Sequence, residues 1–285
     1  MQIVRTVAEL HRWSREVHCV PGQTIGLVPT MGALHAGHAS LIRTARATCS
    51  HVAVSLFVNP SQFGPGEDYG RYPRSFEADC TLARSEGADV LFAPPVEEMY
   101  PSGPSSPIAA FVGVRNLSQR LDGASRPGHF RGVATVVAKL FVAAEPDFAF
   151  FGQKDAAQVA VLRRMTADLR FATEIVVCPI VRDADGLALS SRNAYLTAGQ
   201  RAHALALSRA IRAVESLVAK GERRAQVLDD AARRIFVRER DLRVDYIAVV
   251  DWATLDPVDI AAPGTLFAVA AYVGATRLID NTILQ

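Results

Sequence analysis

Lysine is nearly absent from this 285-residue chain: Lys139, Lys154 and Lys220 stand against 28 arginines. Wherever any cation serves, the chain uses arginine, so a retained lysine marks a place that calls for a compact ammonium. Cysteine is scarce too. The four thiols at 19, 49, 80 and 178 form no CxxC pair, which excludes a zinc ribbon or a disulfide scaffold. They read as reduced thiols of a cytoplasmic protein. A surplus of one charge is also missing. With 31 basic and 29 acidic residues the net charge is +2, which gives no general case for nucleic acid or an anionic membrane as partner. Long apolar runs are absent. The most apolar stretch, 133–151, is broken by Lys139, Glu145, Pro146 and Asp147, so no membrane span is expected. Charged residues from Arg5 to Glu16 stand where a signal peptide needs an apolar run. With 49% hydrophobic and 21% charged residues, what remains is an ordinary globular protein of about two domains.

Strands and helices alternate along the first two-thirds. Thr6 and Glu9 form a capping box for a helix over 6–18. A short apolar strand at 24–28, a helix over 36–49 and the apolar run at 51–58 make a βαβ unit, hence a parallel sheet buried on both faces. Further helices are expected at 75–86, 131–144 and 155–168, and strands at 89–92, 147–151 and 174–182. This is an α/β fold, a doubly wound, Rossmann-like parallel sheet. Gly, Pro and Ser mark loops at 59–74 and 101–107, and 122–129 reads as a mobile loop. Past 183, a Thr197-capped helix, a second helix at 223–237 and strands at 243–250, 265–273 and 276–283 predict a smaller α+β domain. The expected domains are therefore 1–183 and 184–285.

Four segments carry chemistry. Pro29 to His38 (PTMGALHAGH) runs from the end of the first sheet strand into a helix start. That is the ligand crevice of an open α/β sheet, and helix N–H groups there favour phosphate. His35 and His38, three apart, share one face of the turn. Such a pair alone is commonly two surface histidines on a capped helix; its position after a strand and a Gly-containing turn favours a phosphate role. A zinc site lacks the HExxH pattern and a third ligand. Gly152-Gln153-Lys154-Asp155 also follows an apolar strand, with Gln158 four residues beyond Lys154 on the same helix face. Leu189-Ser190-Ser191-Arg192 offers two hydroxyls and a guanidinium after a DADG turn, a phosphate clamp. Asn59 and Gln62, in FVNPSQF, offer neutral amides beside aromatic surface, suited to a small polyhydroxylated acid.

Together, PTMGALHAGH, FVNPSQF, YPR, RPGHFRGV, FGQKD and LALSSRN resemble the pantoate–β-alanine ligase family, within the nucleotidyl-transferring α/β enzymes that carry a HIGH-type signature. The resemblance spans essentially the whole chain. Ser61 stands where a larger residue is more usual. The resemblance implies condensation of (R)-pantoate with β-alanine through a pantoyl adenylate, releasing pyrophosphate and then AMP. It implies that His35, His38, Lys154, Ser190, Ser191 and Arg192 hold the phosphates, with His38 as proton donor. Met31, Gly32, Ala33, Leu34, Ala36, Gly37, Gly152, Gln153, Asp155, Val181 and Leu189 would complete the ATP site. Gln62 and Gln158 would hold pantoate, and Gln62 would also border β-alanine. Mg²⁺ would accompany ATP; its protein ligands are not placed, with Asp79 a candidate. The loops at 59–74 and 122–129 and the second domain are candidate lids, and a homodimer is the family's habit. The rival on the same fold is a nucleotidyltransferase that leaves the nucleotide on its product.

Overall fold

Thr6 opens the first helix through a reciprocal cap. Its Oγ1 accepts from the Glu9 N–H at 3.2 Å, and the Glu9 carboxylate accepts from the Thr6 N–H at 2.9 Å. The helix is α1 (Val7–His18), with Leu10, Ser14 and Val17 buried at helical spacing. The structure, a computed structural model, describes residues 1–106 and 109–285. The loop expected over 101–107 is described as far as Ser106, and Pro107 lies outside the described residues.

The apolar runs form the sheet that their composition requires. Its strands are β1 (Gln2–Val4), β2 (Ile25–Thr30), β3 (His51–Leu56), β4 (Val90–Phe92), β5 (Phe148–Gly152) and β6 (Glu174–Cys178), in the order β1-β4-β3-β2-β5-β6. All pairings are parallel. Ile25, Leu27, Val28, Val52, Val54, Leu91 and Phe92 are fully buried, as a sheet covered on both faces demands. Covering helices include α2 (Ala36–Thr48), α3 (Phe76–Ser85) and α6 (His129–Ala144), with a single turn, α4 (Val96–Met99), after β4.

Two expectations change, and the segment before 6, for which no element is expected, supplies the edge strand β1. The run at 174–182 stops at Cys178, because Pro179 has no N–H for the ladder. The segment expected as a mobile loop at 122–129 is largely helical: α5 (Asp122–Ser125) and then the first residue of α6. Its Gly and Pro content signals a loop, but Asp122, Gly123 and His129 are buried, and tertiary packing outweighs local propensity there.

The chain forms two compact units, Met1–Gly152 with Val161–Cys178, and Gln153–Ala160 with Pro179–Gln285. Helix α7 (Ala156–Asp168) supplies residues to both. The sequence pattern puts the boundary near 183; in the structure 179–183 and 153–160 group with the second unit. That unit holds α8 (Ala198–Ala219), α9 (Ala225–Phe236) and an antiparallel sheet of β7 (Leu242–Val250), β8 (Leu266–Val273) and β9 (Thr276–Ile283). Leu207, Ile211, Val214, Leu228, Phe236, Phe267 and Val269 make its core.

Candidate active site

Strand order reverses between β2 and β5, so their carboxyl ends flank the crevice where open α/β sheets take ligands. At the end of β2, Thr30 Oγ1 donates to the Ser55 carbonyl at 2.7 Å and accepts from the Gly32 N–H at 3.2 Å. The chain then turns through two left-handed residues, Gly32 at φ +86° and Ala33 at φ +51°. A non-glycine residue held there stores strain, which persists only where the surroundings fix it.

Asp79, buried on α3, does the fixing. Its two carboxylate oxygens accept from the Ala33 N–H at 2.9 Å and the Leu34 N–H at 2.8 Å, and Ser75 Oγ adds a bond at 3.1 Å. At 3% exposure this carboxylate is engaged with the turn and does not fit the role of a metal ligand. Among the described residues no group of three or more His, Cys, Asp or Glu side chains is arranged to hold a metal ion. Asp79→Asn puts an amide N–H against a backbone N–H. For the ATP- and Mg²⁺-dependent reaction that the resemblance implies, the expected result is a roughly 10-fold or greater loss of rate through misplacement of the turn, with the half-saturating Mg²⁺ concentration unchanged. A Mg²⁺ titration of both enzymes checks this; a metal ligand would shift that midpoint.

The two histidines cap α2 reciprocally. His35, the N-cap, accepts from the Gly37 N–H through Nδ1 at 3.1 Å, and His38 Nδ1 accepts from the His35 N–H at 3.3 Å. Their rings lie 4.2 Å apart. A neutral imidazole that accepts through Nδ1 carries its proton on Nε2. The cap thus selects the tautomer in which each ring donates through Nε2, at a helix N-terminus that favours an anion.

FVNPSQF follows β3 and forms a 3₁₀ turn, Pro60–Gln62, behind its N-cap Asn59. Asn59 is 1% exposed. Its Nδ2 donates to Gln62 Oε1 at 3.0 Å and to the Gly132 carbonyl at 3.1 Å. Its Oδ1 accepts from Ser61 Oγ at 2.9 Å and Tyr100 OH at 2.8 Å. Both amide hydrogens are used, so Asn59 orients Gln62. Ser61 fits this network by its hydroxyl, 2.8 Å from Tyr100 OH. Lys139, on α6, lies over the Tyr100 ring at 4.1 Å, a cation–π contact, and its Nζ also donates to the Met99 carbonyl. Gln62 Nε2 reaches Met31 Sδ at 3.2 Å, which brings this turn to the β2 turn.

The RPGHFRGV segment closes the same corner. A Cβ on Gly132 would stand 2.3 Å from the Ser61 carbonyl oxygen, so only glycine lets α6 approach the 3₁₀ turn. His129 Nδ1 donates to the Gln62 carbonyl at 2.9 Å, and Nε2 accepts from Arg126 Nη1 at 3.0 Å. Burial first, then the Arg126 guanidinium, push His129 down to about 4, which keeps the ring neutral for both bonds. Arg126 also grips the Glu67 carboxylate at 2.9 and 2.6 Å. Burial works to raise Glu67, but that guanidinium holds it below the ordinary carboxylate value. The two segments expected as lids are thus tied to each other.

The remaining expected residues belong to the second unit. Gln153–Asp155 is a 3₁₀ turn directly after β5. Lys154 Nζ lies 3.5 Å from Asp155 Oδ1 with its side chain one-fifth exposed, and Gln158 is half-buried on α7. The DADG turn is gripped by Arg201, at 2.6 Å from Asp183 and 2.8 Å from Asp185. The Leu189 N–H donates to the Val181 carbonyl at 2.9 Å. Ser190 Oγ then caps the 3₁₀ turn Ser191–Tyr195 by accepting from the Arg192 N–H at 3.3 Å.

The family model described as pantoate-beta-alanine ligase matches residues 2–283. The chain belongs to the pantoate–β-alanine ligase family. It is therefore an enzyme of the ligase class. A pantothenate synthetase of Acidobacterium capsulatum is 56% identical over 294 residues, covering 100% of this chain and 97% of that one. The solved pantoate-β-alanine ligase of Thermus thermophilus superimposes with a TM-score of 0.92 at 46% identity, covering 99% of both chains. That of Francisella tularensis, solved with β-γ ATP and β-alanine, gives 0.81 at 32% identity over 99% of this chain and 97% of its own. Within this family frame, the motifs point to the residues with chemical groups to offer. They do not point to Tyr100, which lies in no motif, or to the anchoring role of Asp79, five residues past YPR; Gly132 lies within RPGHFRGV, but nothing in that motif announces its packing against Ser61.

Proposed function

We propose that this chain, an ATP-dependent ligase, joins (R)-pantoate to β-alanine in two steps. A pantoate carboxylate oxygen attacks the α-phosphorus of ATP, and the bond from that phosphorus to the β-phosphate bridge breaks. Pyrophosphate leaves. The β-alanine amine then attacks the acyl carbon, the carbon–oxygen bond to AMP breaks, and the nitrogen loses a proton. The observation that carries this reading is the reciprocal His35–His38 cap at the end of β2, in which both Nδ1 atoms accept backbone N–H groups at a helix start. Negative charge builds on the α-phosphate and on departing pyrophosphate, where preorganised donors act most strongly.

In this reading His35, His38, Lys154, Ser190, Ser191 and Arg192 hold the phosphates, and His38 donates a proton or hydrogen bond as charge develops. The main chain of Met31 to Gly37, with Gly152, Gln153, Asp155, Val181 and Leu189, lines the ATP site. Gln62 and Gln158 orient pantoate, Gln62 also borders β-alanine, and Asn59 sets the Gln62 amide. Mg²⁺ would accompany ATP and offset charge on its phosphates; among the described residues no group of three or more His, Cys, Asp or Glu side chains is arranged to hold it. The family resemblance supports a homodimer. A reducing, cytoplasmic setting is supported by four unpaired cysteines, of which Cys49 is pushed up to about 11 by burial. Chromatographic product analysis tests the scheme. Pyrophosphate, AMP and pantothenate are expected in equal amounts; ADP with phosphate, or a nucleotidylated product, would exclude it.

A further inference from the structure

The turn that carries Lys154 has a partner that no motif announces. Asn281, on β9, is 3% exposed. Its Nδ2 donates to two successive carbonyls, Gln153 at 3.0 Å and Lys154 at 2.9 Å. Its Oδ1 accepts from Gln153 Nε2 at 3.2 Å. Both amide hydrogens and the carbonyl are thus engaged with one three-residue turn, 127 residues away in sequence. Asn281 is itself fixed. Its N–H donates to Asp280 Oδ1 at 2.8 Å, and the Asp280 carboxylate, 2% exposed, pairs with Arg182 at 2.6 and 2.9 Å. Buried polar side chains of this kind are costly unless fully satisfied, and an apolar residue would serve a strand core that needed only stability.

We infer that Asn281 is a positioning residue for Lys154. It pins the backbone of the 153–155 turn, so that the Lys154 side chain starts from one fixed place before ATP binds. Misplacement of a charge-stabilising group by about 1 Å costs on the order of 10²-fold in rate, which is the selective reason for so complete a set of bonds. The inference rests on the proposed phosphate role of Lys154.

The test is a double-mutant cycle read by single-turnover adenylate formation, with Asn281→Ala, Lys154→Ala and the double variant. Asn281→Ala is expected to slow adenylation about 10- to 100-fold with pantoate KM little changed. The double variant is expected to be no slower than Lys154→Ala, because residues acting through one group are not additive. Asn281→Asp, which keeps the volume but sets oxygen against two carbonyls, should lose rate similarly while remaining folded by circular dichroism. Independent, multiplicative losses in the double variant would overturn the inference. So would a wild-type rate in Asn281→Ala, or a loss that merely follows the unfolded fraction of both Asn281 variants. If Lys154→Ala alone adenylates at the wild-type rate, the phosphate reading itself fails, and the inference with it.

Discussion

Lys154→Ala is expected to slow pantoyl-adenylate formation by at least ~10²-fold, the order seen when one preorganised transition-state donor is removed. That corresponds to about 2.7 kcal/mol of barrier. The lysine sits in the turn that β5 delivers, with its ammonium 3.5 Å from Asp155. So long a contact holds the ammonium loosely enough to leave it for a phosphate. Folding should be nearly unaffected, since the turn is pinned through its carbonyls and the Lys154 side chain lies outside the apolar core. Single-turnover kinetics with thermal unfolding on the same sample separates the two effects. Adenylation near the wild-type rate would mean that scarcity of lysine does not mark function in this chain.

His38 tests the second large effect, and two substitutions divide it. The ring caps the His35 N–H through Nδ1, and in the proposed reading it also donates to phosphate through Nε2–H. Glutamine at the third helical position is the standard reciprocal partner of an N-cap. His38→Gln therefore keeps the cap and loses the imidazole donor, whereas His38→Ala loses both. Both variants should adenylate ~10²-fold or more slowly. Only His38→Ala should also lose about 1 kcal/mol of stability. Pantoate affinity, measured by calorimetric titration, should stay within a few-fold in both, because the amides of Gln62 and Gln158 are assigned to that substrate. Recovery of the rate by glutamine would assign His38 to the helix start alone.

Local patterns carry most of the fold. The capping box at Thr6 and the apolar run at 51–58 read directly as a helix and a buried parallel strand, because neighbours in sequence make the signal. The edge strand β1 is invisible to such a reading: it has three residues, of which only Val4 is buried. The segment at 122–129 reads wrongly as a loop because its helical turn is held by Ser118, Phe130 and Glu67, contacts that Gly and Pro content cannot report. The site divides the same way. His35, His38, Lys154 and the Ser190–Arg192 hydroxyls and guanidinium are legible as chemical groups at strand ends. The residues that hold them are not. Asp79 bonds across 46 residues to the β2 turn, and Asn281 across 127 to Lys154. A buried asparagine in a strand pattern looks, in sequence, like one that faces water. Asn59 shows the intermediate case: its motif is legible, but its amide is occupied by Gln62, Gly132, Ser61 and Tyr100.

The central claim is that ATP and pantoate react before β-alanine takes part. Isotope exchange between labelled pyrophosphate and ATP measures that step alone. With enzyme, ATP, Mg²⁺ and pantoate present, exchange is expected without β-alanine, and it should vanish when pantoate is left out. Strict dependence of the exchange on β-alanine would contradict the two-step scheme.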